Sequence, residues 1–306
     1  MVTLRQLRFL VAVADTLNFS RAAEICFVTQ PTLSAGIKEL EERLGVQLVE
    51  RSRHHVMLTP LGAEIAARGQ AMLLDVQEIE TLARDHRTTD EGELRLGAIP
   101  TIGPYLIPQA LPVLRQRFPK LKIFLREEIT ESLIDGLWQG RLDVILIALP
   151  FDIGTLETAA LFTDGYHLAT PPDRSVPLRI GTVLPTGDDQ LMLLDKGHCL
   201  QRHALQAFPG QDLTQDESFA ATSLPTLISM VSEGLGVTLL PDLAVEAGVA
   251  AGGAVQLTPL PAACPRHVVL AWRPNAARKP LFEQIADILK QTRAAQRDQA
   301  AKGSSG

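Results

Sequence analysis

Apolar residues follow helical spacing through roughly the first 87 positions, then give way to short apolar runs alternating with helical stretches. Phe9–Ala14, bounded by Arg8 and Asp15, is the apolar part of a first helix that Thr3 is placed to cap. Ser20 stands where it can cap a second helix, whose buried face includes Ala22, Ala23 and Cys26. A turn over Phe27–Thr29 ends that helix. Thr29 can then cap a third, from about Gln30 to Leu44, with Leu33, Ile37, Leu40 and Leu44 along one side. Gln30, Pro31, Thr32, Ser34, Ala35 and Lys38 are left at its start and on its outer face. Gly45 stops it, since glycine adopts the left-handed conformation at least cost. Two strand-like runs, Val46–Glu50 and Val56–Thr59, flank Arg51, Ser52, Arg53, His54 and His55. Three helices and a hairpin with cationic tips predict a winged helix-turn-helix over residues 1–59. Its third helix would meet base edges in the major groove, and its wing would lie along phosphates. Two helices and a turn also occur in ordinary helical cores, so the geometry alone does not decide the matter.

Thr59 and Pro60 open a long helix to about residue 87, with Leu61, Ile65, Met72, Val76, Ile79 and Leu82 at helical spacing. An apolar stripe on so long an isolated helix calls for a partner, most simply a second copy in an antiparallel pair. TTDEGE (88–93) reads as a polar hinge. From 94 to about 295, strands alternate with helices, which predicts an α/β domain with a largely parallel sheet. ELRLGAIP, LKIFLREEI, LDVILIALP, LMLLD, FAAT and RHVVLAWRP read as strands, and VTLLP as strand or turn. The last strand and the helix PLFEQIADILKQTRAAQ are expected to return to the first lobe. The result is an α/β domain of two lobes joined by crossover strands, with a cleft between them. Ligands in open α/β sheets lie at the carboxyl ends of strands, here Ile99–Ile102, Ile129–Thr130 and the loop Asp195–Cys199. Residues 296–306 read as a disordered tail.

Composition narrows the picture only slightly. Residues 1–59 carry seven Lys/Arg against six Asp/Glu, and the whole chain stands at −6. DNA affinity would therefore come from a local patch multiplied by oligomerisation rather than from bulk charge. No apolar run is long enough to span a membrane, and the N-terminus lacks a signal-peptide layout, so a cytoplasmic protein is expected. Its three cysteines, Cys26, Cys199 and Cys264, would then be reduced, and no metal-ligand spacing is present. No cofactor is expected.

The combination of AA in the second helix, TQPTLS, I-x-x-LE-x-x-LG, L-x-x-R and LT-x-x-G closely resembles the DNA-binding domain of the LysR-type transcriptional regulators. That resemblance implies a double-stranded DNA operator as partner, pairing through the linker helix, a homotetramer built as a dimer of dimers, and a possible contact with RNA polymerase. It also implies an effector domain of periplasmic-binding-protein type.

A narrower resemblance covers nearly the whole chain. IPTIGPYLIP (99–108), FPKL (118–121), LDVILIAL (142–149), D-x-GHCL (195–200), ATSL-x-TL (221–227) and VTLLP (237–241) are similar to the hydrogen-peroxide-sensing, OxyR-like branch of that family. By this resemblance Cys199 is the peroxide-reactive cysteine, and Thr101, Thr130, His198 and Thr222 belong to the peroxide or ligand pocket. From the residues alone, Cys199 near a helix start beside His198 has a favoured thiolate, although most single cysteines are small buried hydrophobes. Thr101 and Thr130 can also serve as caps of the helices that follow them. The branch's usual resolving cysteine is replaced here by Phe208, and an arginine often seen before ATSL by Ala220. A one-cysteine mechanism is therefore the expectation, with sulfenic acid, a mixed disulfide or an interchain bridge as products. Two rivals stand beside it: the same regulator sensing a small metabolite in the cleft, and, remotely, a thiol peroxidase. The chain offers no base–nucleophile triad, and an enzyme is not expected.

Overall fold

A computed structural model describes residues 1–51, 55–85, 91–172, 191–195, 199–207 and 220–303. The chain forms two compact units, the first essentially its N-terminal 87 residues and the second nearly all of the remainder.

The first unit opens with α1 (Leu4–Thr16), α2 (Phe19–Ile25) and α3 (Gln30–Leu44). Thr3 caps α1, as the sequence predicts, and Gln6 returns the bond to close a reciprocal capping box. The cap of α2 is Asn18 rather than Ser20. Its Oδ1 accepts from the backbone N–H groups of Ser20 and Arg21 at 2.9 and 3.1 Å, so the helix begins two residues earlier than expected. Thr29 caps α3 and Gly45 ends it at φ +69°, both as expected. Leu33, Ile37 and Leu40 are fully buried with Leu10, Val13 and Ala22. The hairpin β1 (Val49–Arg51) and β2 (Val56–Leu58) is antiparallel, and Thr59 caps α4 (Pro60–Asp85) through the N–H of Gly62 at 2.9 Å. Gly62 is required where it stands: a Cβ there would lie 2.0 Å from the carbonyl oxygen of Leu48. On α4, Leu61, Met72 and Ile79 are exposed, the stripe the sequence leaves without a covering domain.

The second unit contains, in order, β3 (Gly92–Ala98), α5 (Gly103–Arg117), β4 (Leu121–Glu127), α6 (Thr130–Trp138), β5 (Val144–Leu149), β6 (Glu157–Asp164) and β7 (Tyr166–Thr170). There follow β8 (Leu193–Leu194), α7 (Cys199–Gln206), β9 (Ala220–Ala221), α8 (Leu224–Ser232), β10 (Thr238–Pro241), α9 (Asp242–Glu246), β11 (Gln256–Pro259), β12 (Arg266–Trp272) and α10 (Lys279–Gly303). One lobe is built on a five-stranded sheet of order β4-β3-β5-β12-β6. The other carries β10-β7-β11 and the short parallel pair β8-β9. β12 and α10 do return to the first lobe.

The sheet is less parallel than expected. β4, β3 and β5 are parallel, but β12 runs antiparallel to both β5 and β6, and all of β10-β7-β11 is antiparallel. β6 and β7 carry the chain into the second lobe; β6 is mixed in burial, and β7, though mostly buried, includes His167 and Thr170, so neither stands out in the sequence as an apolar run. β3 begins at Gly92, inside the expected hinge, and residues 86–90 lie outside the described residues. The expected tail disorder from 296 is also corrected. α10 continues to Gly303 because Arg293 is buried against Glu246 and Gln296 donates to the carbonyl of Tyr105 at 2.9 Å, extending its packed face.

Candidate functional site

In the first unit the start of α3 is an open polar surface. Gln30, Pro31, Thr32 and Lys38 are exposed and Ser34 is half-buried. Gln30, Pro31, Ser34 and Lys38 line, with Ala35 and Glu41, an open concavity of about 450 Å³. Thr32 is partly engaged, its hydroxyl 2.8 Å from that of Thr29. Lys38 meets Glu42 at 3.5 Å, with both side chains mostly exposed, a pairing weak enough to yield to a phosphate. The acidic residues behind this surface are largely turned to internal use. Glu41 accepts from the N–H groups of Leu48 and Val49 at 2.8 and 3.0 Å, holding the start of the hairpin to the end of α3. Glu39 pairs with Arg43 at 2.7 Å. Of the expected wing residues, Arg51 ends β1, whereas Arg53 and His54 lie outside the described residues.

The cleft of the second unit is organised by residues the sequence reading did not single out. Arg266 opens β12 and Asp164 closes β6, directly opposite one another in register. Both side chains are completely buried. Arg266 Nε and Nη2 donate to Asp164 Oδ2 at 3.0 and 2.8 Å, Nη1 to Thr101 Oγ1 at 2.8 Å, and Nη2 to the Thr101 carbonyl at 3.2 Å. Asp164 Oδ1 accepts from Leu243 N–H at 2.8 Å. One buried ion pair therefore fastens both crossovers between the lobes to the loop after β3. It also corrects the reading of Thr101 as a helix cap. The cap position of α5 is Ile102, and the Thr101 hydroxyl oxygen accepts from Arg266 instead.

Cys199 is the first residue of α7, and His198 lies outside the described residues. One turn along the same helix face stands His203, only 2 % exposed. Its Nε2 lies 2.9 Å from the carbonyl oxygen of Pro150, which can only accept, so Nε2 carries the proton and Nδ1 presents a lone pair. Nδ1 has no hydrogen-bond partner among the described residues. Burial pushes the His203 pKa down from 6.5 to about 4, and the cations of Arg266 and Arg202 push the same way against the Pro150 carbonyl. The ring is neutral at physiological pH. Thr130, at the start of α6, is fully buried, and its hydroxyl likewise has no partner among the described residues, so it does not act as the expected cap. Arg202 reaches across from α7, its guanidinium 4.8 Å from the Phe151 ring and 3.7 Å from Glu131. α7 thus touches the first lobe at Pro150, Phe151 and Glu131. Thr222 is exposed on the bend before α8, whose cap is Ser223.

The spacing of Cys199 and His203 is a signal the sequence contained. Arg266 and Asp164 offered none, since each is one charge at the end of a strand and they lie 102 positions apart.

Comparison with known proteins covers almost the whole chain. Residues 4–63 match the model of the bacterial regulatory helix-turn-helix protein, lysR family, and residues 87–294 that of the LysR substrate binding domain. The HTH-type transcriptional regulator EstR of Acinetobacter baylyi is 38% identical, covering 94% of this chain and 96% of its own. The DNA-binding transcriptional dual regulator OxyR of Escherichia coli K12 is 36% identical, covering 94% and 95%. Among solved structures, full-length OxyR of Pseudomonas aeruginosa, bearing a cysteine-to-aspartate substitution, is 38% identical with a TM-score of 0.73, covering 95% of this chain and 98% of that one. A hydrogen-peroxide-bound OxyR variant of Corynebacterium glutamicum is 29% identical with a TM-score of 0.65, covering 99% and 96%.

Proposed function

The chain belongs to the LysR family of DNA-binding transcriptional regulators and is related to OxyR over nearly its full length, and from that premise we propose that hydrogen peroxide is its signal and Cys199 the residue that receives it. The observation that carries this is the start of α7. Cys199 opens the helix, and one turn on a neutral, buried imidazole holds a lone pair with no partner among the described residues. The Thr130 hydroxyl is buried and has no partner among the described residues, and the Thr101 oxygen, though it accepts from Arg266, keeps its own O–H to donate. Hydrogen peroxide is small and both donates and accepts, and such a mixed set of donors and acceptors suits it. Thr101, Thr130 and His198, with Thr222 at the margin, are the proposed pocket.

The chemistry is a nucleophilic displacement. The Cys199 thiolate attacks one peroxide oxygen, the O–O bond breaks, and the departing hydroxide is protonated to water, leaving a sulfenic acid. At the other end, Gln30, Pro31, Thr32, Ser34 and Lys38 are the proposed base-reading surface, and Arg51, Arg53 and His54 the phosphate-following wing. Two pairs of such heads in a homotetramer would span one operator, and RNA polymerase is a candidate contact of the DNA-bound form.

The deciding experiment compares operator occupancy, before and after a near-stoichiometric peroxide pulse, for the wild type and Cys199→Ser. The proposal expects the response to vanish in the variant, and an unchanged response removes it. A second reading has one specific support: EstR, a relative of comparable similarity, carries a name that says nothing of peroxide. In that reading a small metabolite fills the cleft, and a ligand-induced rise in melting temperature would survive Cys199→Ser.

A further inference from the structure

The sequence leaves Cys199 without an obvious second thiol, but the fold supplies one. Cys264 lies on the second crossover, between β11 and β12, and is exposed. Its backbone N–H donates to the carbonyl of Ala207 at 2.8 Å. Ala207 directly follows α7, the helix that Cys199 begins. The two cysteines of this unit therefore mark the two ends of one short helix: one is its first residue, and the other is hydrogen-bonded to the residue beyond its last.

We propose that Cys264 is the resolving thiol, closing an intrachain disulfide with oxidised Cys199 at the expense of α7. The inference rests on Cys199 being the peroxide-reactive residue, and it replaces the one-cysteine mechanism expected from the sequence. Once the sulfenic acid has formed, the Cys264 thiolate attacks its sulfur, the S–O bond breaks, and the leaving hydroxide takes up the proton released by the Cys264 thiol. Two thiols and one hydrogen peroxide become one disulfide and two waters, the sulfurs giving up the two electrons that peroxide gains.

Geometry decides which element moves. Eight residues of helix place Cys199 about 12 Å along the axis from the Ala207 end. A disulfide needs Cα atoms roughly 4.4–6.8 Å apart. Cys264 cannot travel that distance, because Arg266, two residues on, is locked by Asp164 and Thr101. α7 is the element that can give. It has only eight residues, too few to be stable apart from its packing, and its buried side are Leu200, His203 and Ala204. Unwinding it withdraws His203 from Pro150 and Arg202 from Glu131 and Phe151. Bond formation at one end of the helix thus cancels the contacts through which α7 holds the first lobe, and that change is the output of the switch.

The test uses the full-length reduced chain, pulsed with near-stoichiometric hydrogen peroxide without added thiol, alkylated and digested for non-reducing peptide mapping. A parallel sample contains a sulfenic-acid trap. Wild type and Cys26→Ser should yield the tryptic fragment Gly197–Arg202 linked to the one ending at Arg266, on a chain that still runs as a monomer in a non-reducing gel. Cys264→Ser keeps the backbone donor to Ala207, so the fold is retained. It should lose the link, raise the trapped sulfenic acid several-fold and pass on to sulfinic acid. If Cys264 stays reduced while Cys199 is trapped equally in wild type and Cys264→Ser, the disulfide is overturned and the peroxide reading stands. A link found only between two chains also overturns it. If Cys199 is unmodified in every variant, the peroxide reading fails, and this inference fails with it.

Discussion

Arg266→Met is the substitution that asks most of the structure. The side chain is fully buried, and it supplies two hydrogen bonds to Asp164, one to the Thr101 hydroxyl and one to the Thr101 carbonyl. Methionine fills much of the same space but donates nothing. Asp164 would then keep only the N–H of Leu243, and its charge would stay buried without a counter-ion. Breaking a buried pair from one side costs about 3–5 kcal/mol, mostly the penalty of the abandoned partner. In a domain of this size each kcal/mol moves the melting temperature by about 2–4 °C, so a fall of roughly 6–20 °C is expected. Thr101→Val removes only the hydroxyl contact and should cost about 1.5–3 kcal/mol. In the double variant the costs should not add. With the guanidinium gone, the Thr101 oxygen is itself an orphan, and valine relieves it, so the double variant should be no less stable than Arg266→Met alone. Urea unfolding followed by tryptophan fluorescence measures all three, since Trp272 is buried on the same strand as Arg266. A loss under about 1 kcal/mol for Arg266→Met, or strict additivity with Thr101→Val, would refute the claim that this pair anchors the crossovers.

Two further outcomes follow from the geometry. His203 titrates near 4 when folded against 6.5 when free, so the unfolded chain binds more protons between those values. Stability is complete above about pH 6.5 and falls by up to about 3 kcal/mol as pH drops toward 4; His203→Gln, which keeps a donor for the Pro150 carbonyl, should flatten that slope in urea titrations across the range. On α3, Lys38→Ala should lower the salt-dependence slope of operator binding by about 1, whereas Gln30→Ala should cost about 1–3 kcal/mol at a single base pair; anisotropy titrations against an operator selected from random DNA separate the two, and an unchanged slope for Lys38→Ala would place that lysine away from the phosphates.

Much of the first unit was legible because its signals are local. Caps at Thr3, Thr29 and Thr59, the stop at Gly45 and the stripe Leu33–Ile37–Leu40 act over one or two turns and are written contiguously. The exception, Asn18 for Ser20, is a choice between neighbouring cap residues that only the backbone conformation settles. In the second unit the apolar strands were visible, but their directions were not. β12 enters between β5 and β6 from a long way along the chain, and antiparallel pairing at that separation leaves no periodic trace. The candidate site divides in the same way. Cys199 and the two threonines stood out as residue types at strand ends and a helix start. Arg266 with Asp164 is a pair 102 positions apart, and Cys264 meets Ala207 across 57, so folding had to bring each together.

The Gly62 contact has a mechanical consequence. With the helix backbone seated directly on the Leu48 carbonyl, α4 cannot rotate about its axis or slide without carrying the hairpin and the base of α3 along. Head and helix form one stiff arm, and α4, with 26 residues, is about 39 Å long. An arm of that length needs to swing by only about 5° at its far end for the tip to travel roughly 3.4 Å, the rise of one base pair. A regulator built this way gains nothing by reshaping its reading surface. A small angular change delivered to the root of the arm is enough to move a head out of register with its half-site.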